Sequence, residues 1–78
     1  MVMVRYFAAA AEAAGVPSET LSARTVGELL SVMAAVHGRE LEHVLTRCSV
    51  LVDGRRLDPT AALSDGDLAD VLPPFAGG

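Results

Sequence analysis

The stretch TVGELLSVMAAVHG, residues 25–38, predicts an amphipathic helix. Thr25 and Glu28 have the spacing of a capping box, in which each side chain binds a free backbone N–H group at the helix start. Gly38 stands where a glycine commonly ends a helix. The apolar residues between these two signals recur at helical spacing, and they are Val26, Leu29, Leu30, Met33 and Val36. We therefore expect a helix packed on a sheet, and we assign no chemistry to these residues.

The segment before this helix predicts two strands joined by a short helix. Residues 1–7 alternate in the manner of a strand, with two valines and Tyr6 on one face and Arg5 and Phe7 on the other. The alanine-rich patch AAAAEAAG favours a short helix that ends at Gly15. The following SETLSA predicts a second strand that forms a hairpin with the first.

The segment after the helix predicts three further strands. ELEHVLTR favours an additional short helical turn. CSVLVDGRRL then predicts two strands around a turn, because the pair Asp53-Gly54 tolerates the positive φ angles of tight hairpins. A second turn is expected at Ser64–Asp67, and the final strand at Leu68–Leu72.

The resulting order of elements, β-β-α-β-β-β, is that of the β-grasp fold. It predicts an α+β domain over residues 1–72, in which a mixed sheet of four to five strands packs on one main helix. Residues 73–78 are expected to form an extended, flexible C-terminal tail.

Composition narrows the classes of function. The chain has 78 residues, 51% of them hydrophobic and 21% charged, which is ordinary for a globular domain. Its net charge is −4 and all six basic residues are arginine, so we expect no nucleic-acid partner and favour a basic protein partner. The apolar runs are too short to span a membrane. One cysteine and no secretory signal predict a cytoplasmic protein.

The chemically versatile side chains are all expected to have ordinary roles. Cys48 is expected to be a buried structural cysteine, since no neighbour favours its thiolate. His37 and His43 predict a solvated helix end, because their spacing does not suit a metal site and the chain has no second cysteine to complete one. The acidic run DGDLAD predicts a turn, because it lacks the length of a calcium loop. Arg55 and Arg56 are expected at an exposed hairpin tip.

The last six residues, PPFAGG, have the features of a tail that enters a partner. Pro73 and Pro74 cannot continue a β-ladder, so the sheet is expected to end at Leu72. Six extended residues reach about 20 Å. The tip is thin because Gly77 and Gly78 have no side chains. Such a tip suits chemistry on the carboxylate itself: ATP can activate it as an acyl-adenylate, and a sulfur nucleophile can then give a thiocarboxylate.

Three segments resemble the MoaD/ThiS family of ubiquitin-like sulfur carriers. They are VRYFAAAAEAAG at 4–15, TVGELL at 25–30 and LSDGDLADVLPPFAGG at 63–78. The resemblance is closest to the MoaD branch, the small subunit of molybdopterin synthase. It implies that a ubiquitin-activating-type enzyme adenylates Gly78 with ATP and that a sulfur donor then converts the adenylate to the thiocarboxylate. This chain would bind neither ATP nor the sulfur donor stably itself. The thiocarboxylate would then give sulfur to a pyranopterin in molybdenum cofactor synthesis.

The resemblance also implies which residues meet the partners. The tail would insert into a MoaE-type large subunit, with Phe7 and the outer face of the sheet as the docking surface and Phe75 along the insertion path. The residues expected to enter the partner are Pro73, Pro74, Phe75, Ala76 and Gly77. The chain would be a non-catalytic sulfur-donor subunit with no active-site side chains of its own.

Three alternatives remain open from the sequence. Thiamin thiazole and cysteine synthesis use carriers with the same tail chemistry. A ubiquitin-like protein modifier would instead attach Gly78 to lysines of its targets. A plain binding domain of this fold would need no free terminus.

Overall fold

The computed structural model describes residues 1–74 of the chain. Eight elements follow one another, and their bounds are β1 Val2–Tyr6, α1 Ala9–Ala14, β2 Ser18–Leu21, α2 Val26–His37, α3 Arg39–Leu45, β3 Ser49–Val52, β4 Arg55–Arg56 and β5 Leu68–Leu72. Every predicted strand and both predicted helices are present.

The ends of α2 are the ones that the sequence predicts. Thr25 is the extended residue before the helix, and its Oγ1 accepts a hydrogen bond of 3.1 Å from the Glu28 N–H group. Of the two bonds of a capping box, this is the one that the structure has. Gly38 ends the helix at a φ of 91°, a left-handed value that a glycine adopts without strain.

The five strands form one mixed sheet in the order β2-β1-β5-β3-β4. The first and last strands of the chain, β1 and β5, are parallel neighbours, whereas β1–β2, β3–β5 and β3–β4 are antiparallel pairs. The turn between β3 and β4 has positive φ angles at Asp53 (50°) and Gly54 (80°), as predicted. The predicted α+β arrangement of a mixed sheet and helices is confirmed.

The core lies between one face of this sheet and the helices. Val4 of β1 stands opposite Ala69 of β5, and Val50 of β3 stands opposite Val71, so the inward-facing side chains of three strands form a continuous layer. The largest fully buried side chains in the described residues are Leu29, Met33, Leu41, Val2, Val4 and Val71.

Helix α3 is longer than the single turn that the sequence predicts. It has seven residues, and its Leu41 is fully buried. Leu41, Val44 and Leu45 fall at positions i, i+3 and i+4, which places them on one helix face, and all three belong to the core. Three apolar side chains in seven residues are a short signal, and packing against the rest of the core makes this segment a helix.

The prediction for His37 as part of a solvated helix end is wrong. Its side chain is only 12% exposed, and its Nε2 atom contacts Oε2 of Glu19 on β2. The Tyr6 hydroxyl donates a hydrogen bond of 2.6 Å to the same Glu19 oxygen, and the rings of Tyr6 and His37 meet edge to face. Burial, and then the bond to Glu19, raise the pKa of Tyr6 well above its usual range. The end of α2 is thus joined to β1 and β2.

Cys48 directly precedes β3 and is half-buried against the core. Burial raises the pKa of its thiol, which agrees with a structural role rather than a reactive one. Among residues 1–74, no three His, Cys, Asp or Glu side chains are grouped to hold a metal ion. None of the helices in this part of the chain has both the length and the apolar character needed to cross a membrane.

Candidate functional site

The root of the tail is the end of β5, and it is firmly held. β5 lies between β1 and β3, and its Ala69 and Val71 are fully buried. The Phe7 N–H group donates a hydrogen bond of 3.1 Å to the Val71 carbonyl oxygen. Pro73 and Pro74 follow outside any strand, which confirms that the sheet ends at Leu72.

Four of the predicted tail residues lie outside the described part of the chain. They are Phe75, Ala76, Gly77 and Gly78. Their predicted roles, insertion for the first three and carboxylate chemistry for Gly78, therefore stay predictions.

The face of the sheet that points away from the helices is partly apolar and reaches the root of the tail. We call it the outer face, and on the two central strands it consists of Met3, Arg5, Leu68, Asp70 and Leu72, continued by Phe7 just past β1. Met3 is 51% exposed and Phe7 is 38% exposed. Exposed apolar side chains grouped in this way are typical of a surface that contacts another protein.

An ion pair crosses the outer face between the two parallel strands. Arg5 and Asp70 are opposite each other in the register, and the guanidinium Nε and Nη2 atoms donate to the two carboxylate oxygens at 2.6 and 2.8 Å. The hydrogen bond to Asp70 raises the pKa of Arg5. The guanidinium carbon also lies 5.8 Å from the centre of the Phe7 ring, within the range of a cation–π contact.

Arg5 therefore contacts both Asp70 and the Phe7 ring, a link that the sequence does not predict. The only signal in the sequence is that Arg5 and Asp70 each fall at an outward-facing position of their strands. Pairing them requires the register of two strands that lie at opposite ends of the chain.

A cavity of about 270 Å³ opens at the root of the tail, on the side of the helices. Its wall is largely apolar and consists of Ala9, His43, Val44, Arg47, Cys48, Pro73 and Pro74. Cys48 is its only thiol among the described residues, and the raised pKa of that thiol makes it a weak nucleophile. The side chains that line this cavity therefore suit binding rather than covalent chemistry.

Comparison with known proteins identifies the group to which this chain belongs. The model of the ThiS family matches residues 4–78. The chain belongs to the ThiS family. The resemblance to ThiS/MoaD ubiquitin-like carriers is confirmed at the level of the family. A search of curated proteins by sequence gives no match.

Solved structures with the same architecture confirm the β-grasp, ubiquitin-like fold. The small archaeal modifier protein 1 of Methanosarcina acetivorans is 27% identical, with a TM-score of 0.85 over 99% of this chain and 95% of that chain. Subunit 1 in the complex of subunits 1 and 2 of the molybdopterin-converting factor from Helicobacter pylori is 26% identical, with a TM-score of 0.75 over 99% and 97%. A chain of the BexX/CysO complex of Amycolatopsis orientalis, 21% identical at a TM-score of 0.80 over 100% of both chains, shows the fold alone.

Proposed function

We propose that this chain is a sulfur carrier and serves as the small subunit of molybdopterin synthase. The observation that carries the proposal is the fixed root of the tail beside the exposed outer face, in a chain of the ThiS family. A rigid root and an apolar contact surface let a partner hold the domain while the tail enters its active site. The same family and fold also support sulfur transfer for thiamin thiazole or cysteine synthesis.

The proposed chemistry takes place at the Gly78 carboxylate. A carboxylate oxygen attacks the α-phosphorus of ATP in a ubiquitin-activating-type enzyme, and pyrophosphate leaves. A hydrosulfide equivalent from the sulfur donor then attacks the acyl carbon, AMP leaves, and the thiocarboxylate forms. In the MoaE-type large subunit the thiocarboxylate sulfur attacks a carbon of the pyranopterin and displaces an oxygen substituent from it. Water then cleaves the acyl–sulfur bond, which leaves the sulfur on the pterin and returns the carboxylate for another cycle.

Intact mass spectrometry tests the carrier chemistry. We expect the purified protein, incubated with host extract, ATP and cysteine, to gain the mass that replaces one oxygen by sulfur. Alkylation should trap this sulfur at Gly78. The purified thiocarboxylate form should then lose its sulfur to pyranopterin in the presence of the MoaE-type subunit, and not in the presence of a thiazole or cysteine synthase.

Two results would contradict this proposal. Sulfur loss only to a thiazole or cysteine synthase would keep the carrier and change its pathway. Higher-mass conjugates at Gly78 that resist reducing agent, with no thiocarboxylate, would favour a protein modifier. That second function is supported by the likeness to the modifier protein of Methanosarcina acetivorans.

Replacing Phe7 tests the outer face as the docking surface. The Phe7→Ala variant should bind the MoaE-type subunit roughly thirtyfold more weakly, the loss of about 2 kcal/mol that defines an interface hot spot. Isothermal titration calorimetry measures the change in Kd. Val36→Ala is the matched control, since Val36 is an exposed apolar residue on α2. Equal affinities of the two variants would exclude the outer face from the interface.

A further inference from the structure

Charge is distributed unevenly between the two ends of the sheet. At the end where β5 begins, the turns carry Asp53, Asp65 and Asp67, and Asp65 contacts the amino group of Met1. At the end where the tail leaves, the cavity lined by Pro73 and Pro74 has Arg47 in its wall and no carboxylate. The net charge of −4 therefore does not describe the surface around the root of the tail.

His43 and Arg47 line the cavity at the root of the tail together with Pro73 and Pro74. Both are exposed, and no carboxylate is among the residues that line this cavity. Within residues 1–74, no Asp or Glu lies within salt-bridge distance of Arg47. Its guanidinium is thus available to a group from outside.

Arg56 lies at the same end of the sheet, in the wall of a neighbouring cavity that shares Cys48 with this one. Its Nη2 atom donates a hydrogen bond of 3.0 Å to Oγ of Ser49, and Ser49 stands opposite Leu72, the last residue of β5. The exposed Arg56 side chain is therefore directed to the strand end from which the tail leaves. We name Arg47 and Arg56 the tail-root cations.

We propose that the tail-root cations and the cavity lined by Arg47 and Pro73 bind an acidic segment of the adenylating partner that also presents an apolar side chain. Guanidinium groups bind carboxylates through paired hydrogen bonds, and the largely apolar wall around Ala9 and Val44 accommodates the apolar side chain. The contact would orient the tail as it enters the partner. The inference rests on the proposed function, since it requires a partner that acts on the tail.

Charge reversal at Arg47 tests the proposal. In adenylation assays with the purified host enzyme, Arg47→Glu should raise the KM for this protein about tenfold, at the low end of electrostatic effects on association, and leave kcat unchanged. The increase should shrink as ionic strength rises. Arg56→Glu should act in the same direction, and Arg47→Gln should give a smaller increase. Thermal unfolding of each variant should match the wild type.

Arg39→Glu is the matched control, because Arg39 is an exposed residue in the first turn of α3, the helix that precedes Arg47, and the cavity that it lines shares no residue with the cavity at the root of the tail. The proposal is overturned if Arg47→Glu and Arg39→Glu give the same KM. It is also overturned if Arg47→Glu weakens binding of the enzyme only when ATP is present, since the cations would then contact the nucleotide. If the wild-type protein is not adenylated at all, the proposed function is overturned as well. If it is adenylated and Arg47→Glu has no specific effect, only this inference fails.

Discussion

Adding one alanine after Gly78 should abolish formation of the thiocarboxylate while leaving the fold intact. The added residue moves the carboxylate by about 3.5 Å, and a misplacement of 1 Å can already cost about a hundredfold in rate. It also places a methyl group at a tip that the two glycines keep thin. We therefore expect a loss of at least about a hundredfold in adenylate formation, measured by ATP–pyrophosphate exchange. The midpoint of thermal unfolding should not change, because the buried core side chains belong to residues 2–71.

The control for this extension is Ala76→Ser, which alters the tail without moving the carboxylate. It should retain adenylation. If the extended protein were adenylated as fast as the wild type, the reaction would not involve the Gly78 carboxylate. A plain binding domain would then be the better description of this chain.

Replacing Leu29 by alanine should largely unfold the protein. Leu29 is fully buried, and truncation of such a leucine costs about 2–5 kcal/mol. The core of a domain this small seldom supplies more than about 3–5 kcal/mol of net stability. In urea denaturation followed by circular dichroism, the folded baseline of the variant should be absent or much shorter than that of the wild type.

Val36→Ala provides the control on the same helix. Val36 is 56% exposed, so its truncation should change the free energy of unfolding by less than about 0.5 kcal/mol. Equal destabilisation by both substitutions would mean that α2 packs through a different face.

The contrast between Leu29 and Val36 shows what the sequence of a small domain can and cannot predict. Both residues fall in the same helical stripe, and the pattern alone assigns both to the core. The structure buries Leu29 and Met33, whereas Val36 near the end of the helix is exposed and His37 turns inward to Glu19. Which side of the last helical turn faces the sheet depends on packing, which periodicity does not encode.

Features that depend on residues close together in the sequence were predicted well. The cap at Thr25, the turn at Asp53 and Gly54, and the end of the sheet before Pro73 each depend on local backbone chemistry. The candidate site was predicted only in part. The tail follows from its composition, but the Arg5–Asp70 pair and the place of Arg56 beside the end of β5 depend on the register of strands that are distant in sequence.

The central position of β5 also determines how the protein responds to mechanical force. Withdrawal of the tail from a partner that still binds it would pull β5 along its own axis. β5 is hydrogen-bonded to β1 on one side and to β3 on the other, so the two ladders would be loaded in shear and their bonds would stretch together. A strand at the edge of the sheet would have only one ladder to resist this pull. In the proposed function, the sheet would therefore stay folded while the tail is withdrawn from its partner.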